Sequence, residues 1–307
     1  MAETTTTMAD QRIPQILSAN AELIIADRGS ALMRNSGALV YQGDFADEPA
    51  LSKKCRLIGW MGYDRLAARA EGAGAIADTA ITDGKVDLSV GPFVKQYSGN
   101  EFVALHSPSS IYNNPQQASM DAVVSRDATL VDTIAGLSDD WTATAGATGT
   151  AMSVDKFFEA IGTLEAANVP ARPGEVVWQG LPAHYRELAE DLRTEQGVME
   201  HQAVTAEMQA IKGDNFRGSL GGVDLFVSNS LVVSSGDTYS HMWARGGVYW
   251  GDASPRVGPA AIGFEVDKVF IEFSRTANTL TDRTTVHAWF GVATAQQAAG
   301  VKILSQT

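Results

Sequence analysis

Residues 153–192 read SVDKFFEAIGTLEAANVPARPGEVVWQGLPAHYRELAEDL. Val154, Phe157, Phe158, Ile161 and Leu164 fall on one apolar stripe of a helix with period 3.6. Ser153 is placed to cap that helix, and Asp155 suits its positive end. Val169 precedes Pro170, and a residue before proline is pushed out of the helical region, so the helix must stop near Asn168. Glu175–Gln179 reads as a short buried strand. Pro182 then opens a second helix at its first position, where the missing N–H costs nothing, and Tyr185, Leu188 and Leu192 repeat the stripe. No side chain in this helix–strand–helix unit is arranged for reaction.

On the N-terminal side, residues 1–20 are polar, and Ala21–Ile25 and Ala31–Met33 suggest a short helix. From Leu39 to about Tyr97, glycines and prolines interrupt anything long, and the segment reads as irregular. Inside it, Thr79–Thr82 and Lys85–Val90 flank Asp83-Gly84, a two-residue hairpin signal. Val86, Leu88 and Val90 give that ribbon one apolar face, which must lie against something, in this chain or another. Cutting out residues 75–92 is therefore expected to leave a folded body. Asn113-Asn114-Pro115 starts a long helix to Leu137, with Met120, Val124, Ala128, Val131 and Ala135 as its apolar face. Residues Met199–Ile211 read as helical. The last third turns to strands at Val223–Val227, Val266–Phe273, Thr284–Val292 and Val301–Leu304. The fold class is α+β.

The chain has 307 residues, 45% hydrophobic and 19% charged, as expected of a globular protein with a real core. One cysteine, Cys55, excludes an internal disulfide framework and suits a reducing compartment. No run is long and apolar enough for a membrane span, and the first residues lack the order of a signal peptide, so an intracellular protein is expected. The net charge of −13 argues against a dedicated nucleic-acid binder, because phosphate contacts draw on surplus Lys and Arg. Within 28–69 the sign reverses. Seven basic residues, Arg28, Arg34, Lys53, Lys54, Arg56, Arg65 and Arg69, meet four acidic ones. Chance drift explains this as well as a basic segment that lies on the acidic body of a neighbouring copy.

The catalytic constellations fail one by one. The five histidines never fall four apart, so the helical zinc pair is absent. There is no Gly-x-Ser-x-Gly elbow. Gly72-Ala73-Gly74 mimics a dinucleotide fingerprint but follows no buried strand. His184 with Glu187, Glu190 and Asp191 reads as a solvated helix face rather than an acid–base cluster. Cys55 beside Lys53, Lys54 and Arg56 reads as a small apolar filler rather than an activated thiol. Trp178, Trp243, Trp250 and Trp289 fit a pocket lining and a core equally well. No enzyme, cofactor or metal site is expected.

The phrase Leu164-Glu165-Ala166-Ala167-Asn168-Val169-Pro170, the strand after it, and Pro182-x-x-Tyr185-x-x-Leu188 resemble the central segment of tailed-bacteriophage major capsid proteins. Gly221 to Asn229, Trp289-Phe290-Gly291-Val292 and Val301-Lys302-Ile303 are similar to that family's later strands. The resemblance implies a Hong Kong 97-type fold: an N-terminal arm (1–37), an extended hairpin loop (38–98) and a peripheral domain with a spine helix (99–140). An axial domain (141–262) and a return to the peripheral sheet (263–307) complete it. It implies a virion shell assembled in the host cytoplasm from many copies, as hexamers and pentamers, around double-stranded DNA without sequence recognition. Portal, separate scaffolding and decoration proteins are the implied partners, with no membrane. Lys53, Lys54, Arg56, Arg65, Arg69, Asp83, Gly84 and Lys85 become candidate inter-subunit contacts. An encapsulin-type nanocompartment and a tail protein are the alternatives.

Overall fold

The computed structural model describes residues 37–57, 84–100, 115–137, 141–169 (142 and 148 excepted), 172–194, 201–202, 215–229, 233–234, 237–255, 262–266, 268–276 and 281–306, with single positions 205, 208, 212 and 231. In chain order come β1 (Leu39–Asp44), β2 (Ser52–Arg56), β3 (Lys85–Ser89), β4 (Gly91–Asn100) and helix α1 (Pro115–Leu137). Next are β5 (Ala143–Gly146), α2 (Val154–Ala166), β6 (Val176–Gly180), α3 (Pro182–Thr194), β7 (His201–Gln202), β8 (Phe216–Leu220) and β9 (Val223–Val227). The remainder is β10 (Val233–Ser234), β11 (Asp237–Ala244), β12 (Val248–Ala253), β13 (Ile262–Val266), β14 (Val269–Thr276), β15 (Thr281–Thr294) and β16 (Gly300–Gln306).

Two sheets and a ribbon result. One sheet runs β1-β12-β15-β14-β13, with β4 also on β15; the other runs β5-β16-β11-β6-β9-β8-β7, with β10 on β11. Among the described residues, β2 and β3 pair only with each other. The helix–strand–helix unit sits where its pattern demands. β6 is buried at all five positions, between antiparallel β11 and parallel β9. α2 lays Val154, Phe157, Ile161 and Leu164 on the face that carries Trp178, Met242 and Ile303. Each such burial is worth roughly 1.5–3 kcal/mol. Ser153 Oγ accepts the Lys156 amide at 3.3 Å, the expected cap. The stop is made by Asn168 itself: it takes φ +59, and the Val169 amide reaches back to the Leu164 carbonyl at 3.0 Å. This is a Schellman ending with asparagine in the place glycine usually holds.

The opposite face of the eight-stranded sheet, with Val177, Phe226 and Trp243, shares a core with α1 and the six-stranded sheet. Leu130, Val131 and Ile134 carry the α1 contact, whereas Ala128 and Ala135 are only half covered. The buried stripe is thus rotated from the expected one; Met120 and Val124 lie outside the described side chains. Three further expectations change. Val266–Phe273 is not one strand but part of a hairpin, since Val266 faces Val269 across a two-residue turn. His201–Gln202 is not helical: it pairs with Leu220 and Ser219 at the sheet edge. Residues 39–56 and 85–97 are largely strand rather than irregular, and β1 absorbs Gly43 as a bulge at φ +103, with its register slipping between Tyr41 and Asp44; residues 58–83 lie outside the described residues.

The chain crosses from the eight-stranded sheet to the six-stranded one at 245–247, between β11 and β12, and returns to the eight-stranded sheet with β16.

Candidate interface: the ribbon and its seat

β2 and β3 form an antiparallel ladder, Ser52↔Ser89 through Arg56↔Lys85, and the Leu57 amide donates to the Gly84 carbonyl at 3.0 Å to extend it. Directly opposed residues share a face. Cys55, Leu57, Val86 and Leu88 face inward and pack with Phe45, Tyr249, Ala253 and Trp289 of the six-stranded sheet. The apolar face of Lys85–Val90 therefore lies on this chain's own body. Leu88 and Val90 are core residues there, so excising 75–92 would break the fold, contrary to the expectation. Gly84 stands opposite Leu57, and Lys85 opposite Arg56; the Asp83 side of the expected two-residue turn is outside the described residues. Thr79–Asp83, Arg65 and Arg69 lie outside the described residues, as do Arg28 and Arg34.

The outward face of the ribbon presents Lys54, Arg56, Lys85 and Asp87, all exposed. Lys54 faces Asp87, but Arg56 and Lys85 are like charges set directly opposite each other, an arrangement that destabilises an isolated ladder. Lys53 reaches Glu48 at 3.4 Å. Burial pushes the Cys55 thiol pKa up, and its Sγ sits 3.8 Å from the Lys53 carbonyl, so the filler reading fits and the activated-thiol reading does not.

The remaining sequence candidates are structural. His184 is fully buried, with Nε2 3.0 Å from Ser305 Oγ. Glu187 accepts the Met152 amide at 2.8 Å and Asp191 the Val154 amide at 2.7 Å. Only Glu190 of that set is exposed. The solvated-face reading is thus wrong for the other three, because orphan amides at the start of α2 demand acceptors and α3 supplies them. Trp178, Trp243 with Trp250, and Trp289 belong to three different cores rather than one pocket. A groove of about 230 Å³ runs between α1 and strands β4 and β15, where Lys95 Nζ donates to Ser125 Oγ at 2.8 Å. Among the described residues, no three His, Cys, Asp or Glu side chains are placed to hold a metal, and no helix is long and apolar enough to cross a membrane.

One cluster left no trace in the residue pattern. Lys268, at φ +61 in the β13–β14 turn, brings Nζ to 2.6 Å from Asp252 Oδ1, 3.1 Å from Asp44 Oδ2 and 2.9 Å from the Tyr41 hydroxyl. Tyr41 in turn donates to Asp252 Oδ1 at 2.7 Å. Burial alone would lower the Lys268 pKa, but the hydrogen bonds to Asp252, Tyr41 and Asp44 outweigh it and raise the value. The cluster clips the turn to the β1–β12 edge.

Among the described residues the fold is thus two sheets that share a core with α1, and a β2–β3 ribbon packed on the other face of the six-stranded sheet. No protein-family model matches the sequence, and no curated protein is similar to it by sequence. Solved structures are similar over most of the chain. The capsid of Ralstonia phage GP4 matches with a TM-score of 0.59 at 9% identity, over 92% of this chain and 90% of that one. The capsid subunit of cyanophage Pam1 matches at 0.56 and 10% identity, over 90% and 92%. The SrpI encapsulin of Synechococcus elongatus matches at 0.52 and 14% identity, over 72% and 76%. The chain has the Hong Kong 97-type fold of tailed-phage major capsid proteins.

Proposed function

We propose that this chain is a phage major capsid protein, which self-assembles into the icosahedral shell that encloses a double-stranded DNA genome. The observation that carries the reading is coverage: about nine-tenths of this chain corresponds to about nine-tenths of the phage capsid subunits. The encapsulin accounts for less of it, 72%, and its reading ranks second. In the capsid reading the six-stranded sheet and α1 form the peripheral domain, and the eight-stranded sheet with α2 and α3 forms the axial domain. Residues 1–37 are the arm. Residues 38–98 hold the extended hairpin, with the β2–β3 ribbon part of it.

The exposed Lys54, Arg56 and Lys85 face then meets carboxylates on a neighbouring copy and sets register. Extensive obligate interfaces of this kind bury roughly 2,000–5,000 Å². Portal, scaffolding and decoration proteins, and assembly in a host cytoplasm, belong to the same proposal. Its role is structural rather than catalytic. Negative-stain microscopy of the purified chain is the test. Closed icosahedral particles are expected; tubes, rings or a lasting monomer would reject the reading. Particles that form around a protein cargo and protect no DNA during phage infection would favour the encapsulin.

A further inference from the structure

Gly251 and Gly291 are directly paired between β12 and β15. A methyl group on Gly251 would stand 2.3 Å from Phe45 Cε2, and one on Gly291 would stand 2.0 Å from the Ser89 carbonyl oxygen. Both contacts are on the side of the sheet that carries the ribbon, since Tyr249, Ala253 and Trp289 belong to the same core as Cys55 and Leu88. The pair therefore forms a slot: the Phe45 ring drops into one half and the β3–β4 backbone crosses the other. A third attachment is polar. The Tyr249 hydroxyl donates to the Arg56 carbonyl at 2.9 Å, and two backbone bonds, Phe45 N to Asp252 O and Val90 N to Leu51 O, both at 2.9 Å, tie the flanking chain down.

From this geometry we infer that Gly251, Gly291 and Tyr249 are positioning residues for assembly, seating the β2–β3 ribbon on the six-stranded sheet so that its outward face, with Lys54, Arg56 and Lys85, is held in one fixed orientation. The inference rests on the capsid reading for its consequence but not for its geometry. Close-packed sheets transmit small displacements rather than absorb them, and a ribbon lifted from its seat presents its outward face at a different angle. Neither glycine is demanded by its own backbone angles; both are demanded by what lies on top of them. Gly251 and Phe45 make a reciprocal pair, because shortening the ring makes room for a methyl group. Gly291 has no such remedy, since its neighbour is main chain.

Cys55, the one cysteine of the chain, is buried on the inner face of the ribbon and reports its seating directly. The test uses the full-length chain as wild type, Gly291→Ala, Gly251→Ala and the double variant Gly251→Ala with Phe45→Leu. Thiol labelling with an aromatic disulfide is timed on the unassembled protein, and particles are then imaged. Overpacking strain predicts labelling roughly ten- to hundredfold faster for both single variants, with far-UV circular dichroism unchanged. The double variant should return toward the wild-type rate and regain particles, while the single variants give aberrant or no shells. Labelling of Gly291→Ala at the wild-type rate, or normal shells from a variant whose thiol is opened, would overturn the inference. If wild type itself makes no shells, the capsid reading fails, and the labelling arm still decides whether the slot seats the ribbon.

Discussion

Nε2 of His184, in the first turn of α3, lies 3.0 Å from Oγ of Ser305, on the last strand of the chain. This bond joins the helix to β16 in a fully buried setting, and Nδ1 of the same ring has no hydrogen-bond partner among the described residues. Nearby, Lys156 donates to the Leu304 carbonyl at 3.3 Å and the Gln306 amide to the Thr150 carbonyl at 2.9 Å, so three segments meet around the imidazole.

A pH dependence follows. Burial lowers the His184 pKa below its usual 6.5; Glu187 on the same helix opposes that shift, and Lys156 on α2 adds to it. The neutral ring is the folded form, so the unfolded chain binds the extra proton. Stability is therefore whole above about pH 6.5 and declines as pH falls from there through the lower folded pKa. Urea midpoints of the unassembled chain, taken in half-unit pH steps, should show this decline. His184→Gln should flatten it, and an unchanged decline in that variant would remove His184 as the cause.

Glu187 and Asp191 act as remote caps for α2. Asp191→Ala leaves the Val154 amide without its acceptor and should cost about 1 kcal/mol, as other lost caps do. Glu187→Ala, which orphans the Met152 amide, should cost a similar amount. Glu190→Ala, on the exposed side of the same helix, should stay within about 0.5 kcal/mol. Equal effects at all three positions in chemical unfolding would contradict the assignment.

The Lys268 cluster makes a different prediction. Lys268→Met leaves Asp252, only 18% exposed, without its cation. Because Asp44 is 46% exposed and well screened, the expected loss is about 1–2 kcal/mol rather than that of a buried ion pair. Differential unfolding at low and high salt checks it: the gap between wild type and variant should narrow as salt rises.

Replacing residues 58–83 with Asn-Gly joins Leu57 to Gly84, which are already hydrogen-bonded neighbours, through a turn type that suits a two-residue hairpin. The body should keep its wild-type unfolding midpoint and remain unassembled. Removing 75–92 instead strips Leu88 and Val90 from a core and should leave an aggregating chain. Normal particles from the Asn-Gly variant would show that residues 58–83 are dispensable for closure.

Charge reversal tests the outward face. Lys54→Glu with Lys85→Glu should slow assembly by about tenfold at low salt, with the difference fading near physiological ionic strength. Light scattering against time is the measurement. Unaltered kinetics would mean that this face meets no carboxylates.

Local order was readable along the chain. The three-and-four spacing from Val154 to Leu164, the cap at Ser153 and the proline at 182 determine α2 and α3 with no help from distant residues. The Gly221-Gly222 turn between β8 and β9 is equally local, both glycines taking positive φ. The resemblance also rested on such local units in their order. Partners were not readable. That Lys85–Ser89 pairs with Ser52–Arg56 depends on a distant surface that holds both strands in place, and that surface is the β12–β15 face. The same holds for His184, whose helical position suggests solvent until β16 arrives beside it, and for Lys268, whose anions come from β1 and β12. Periodicity records which side of an element is apolar. Only long-range packing decides what covers that side, because the free energy of burial is paid out between segments that the sequence keeps far apart.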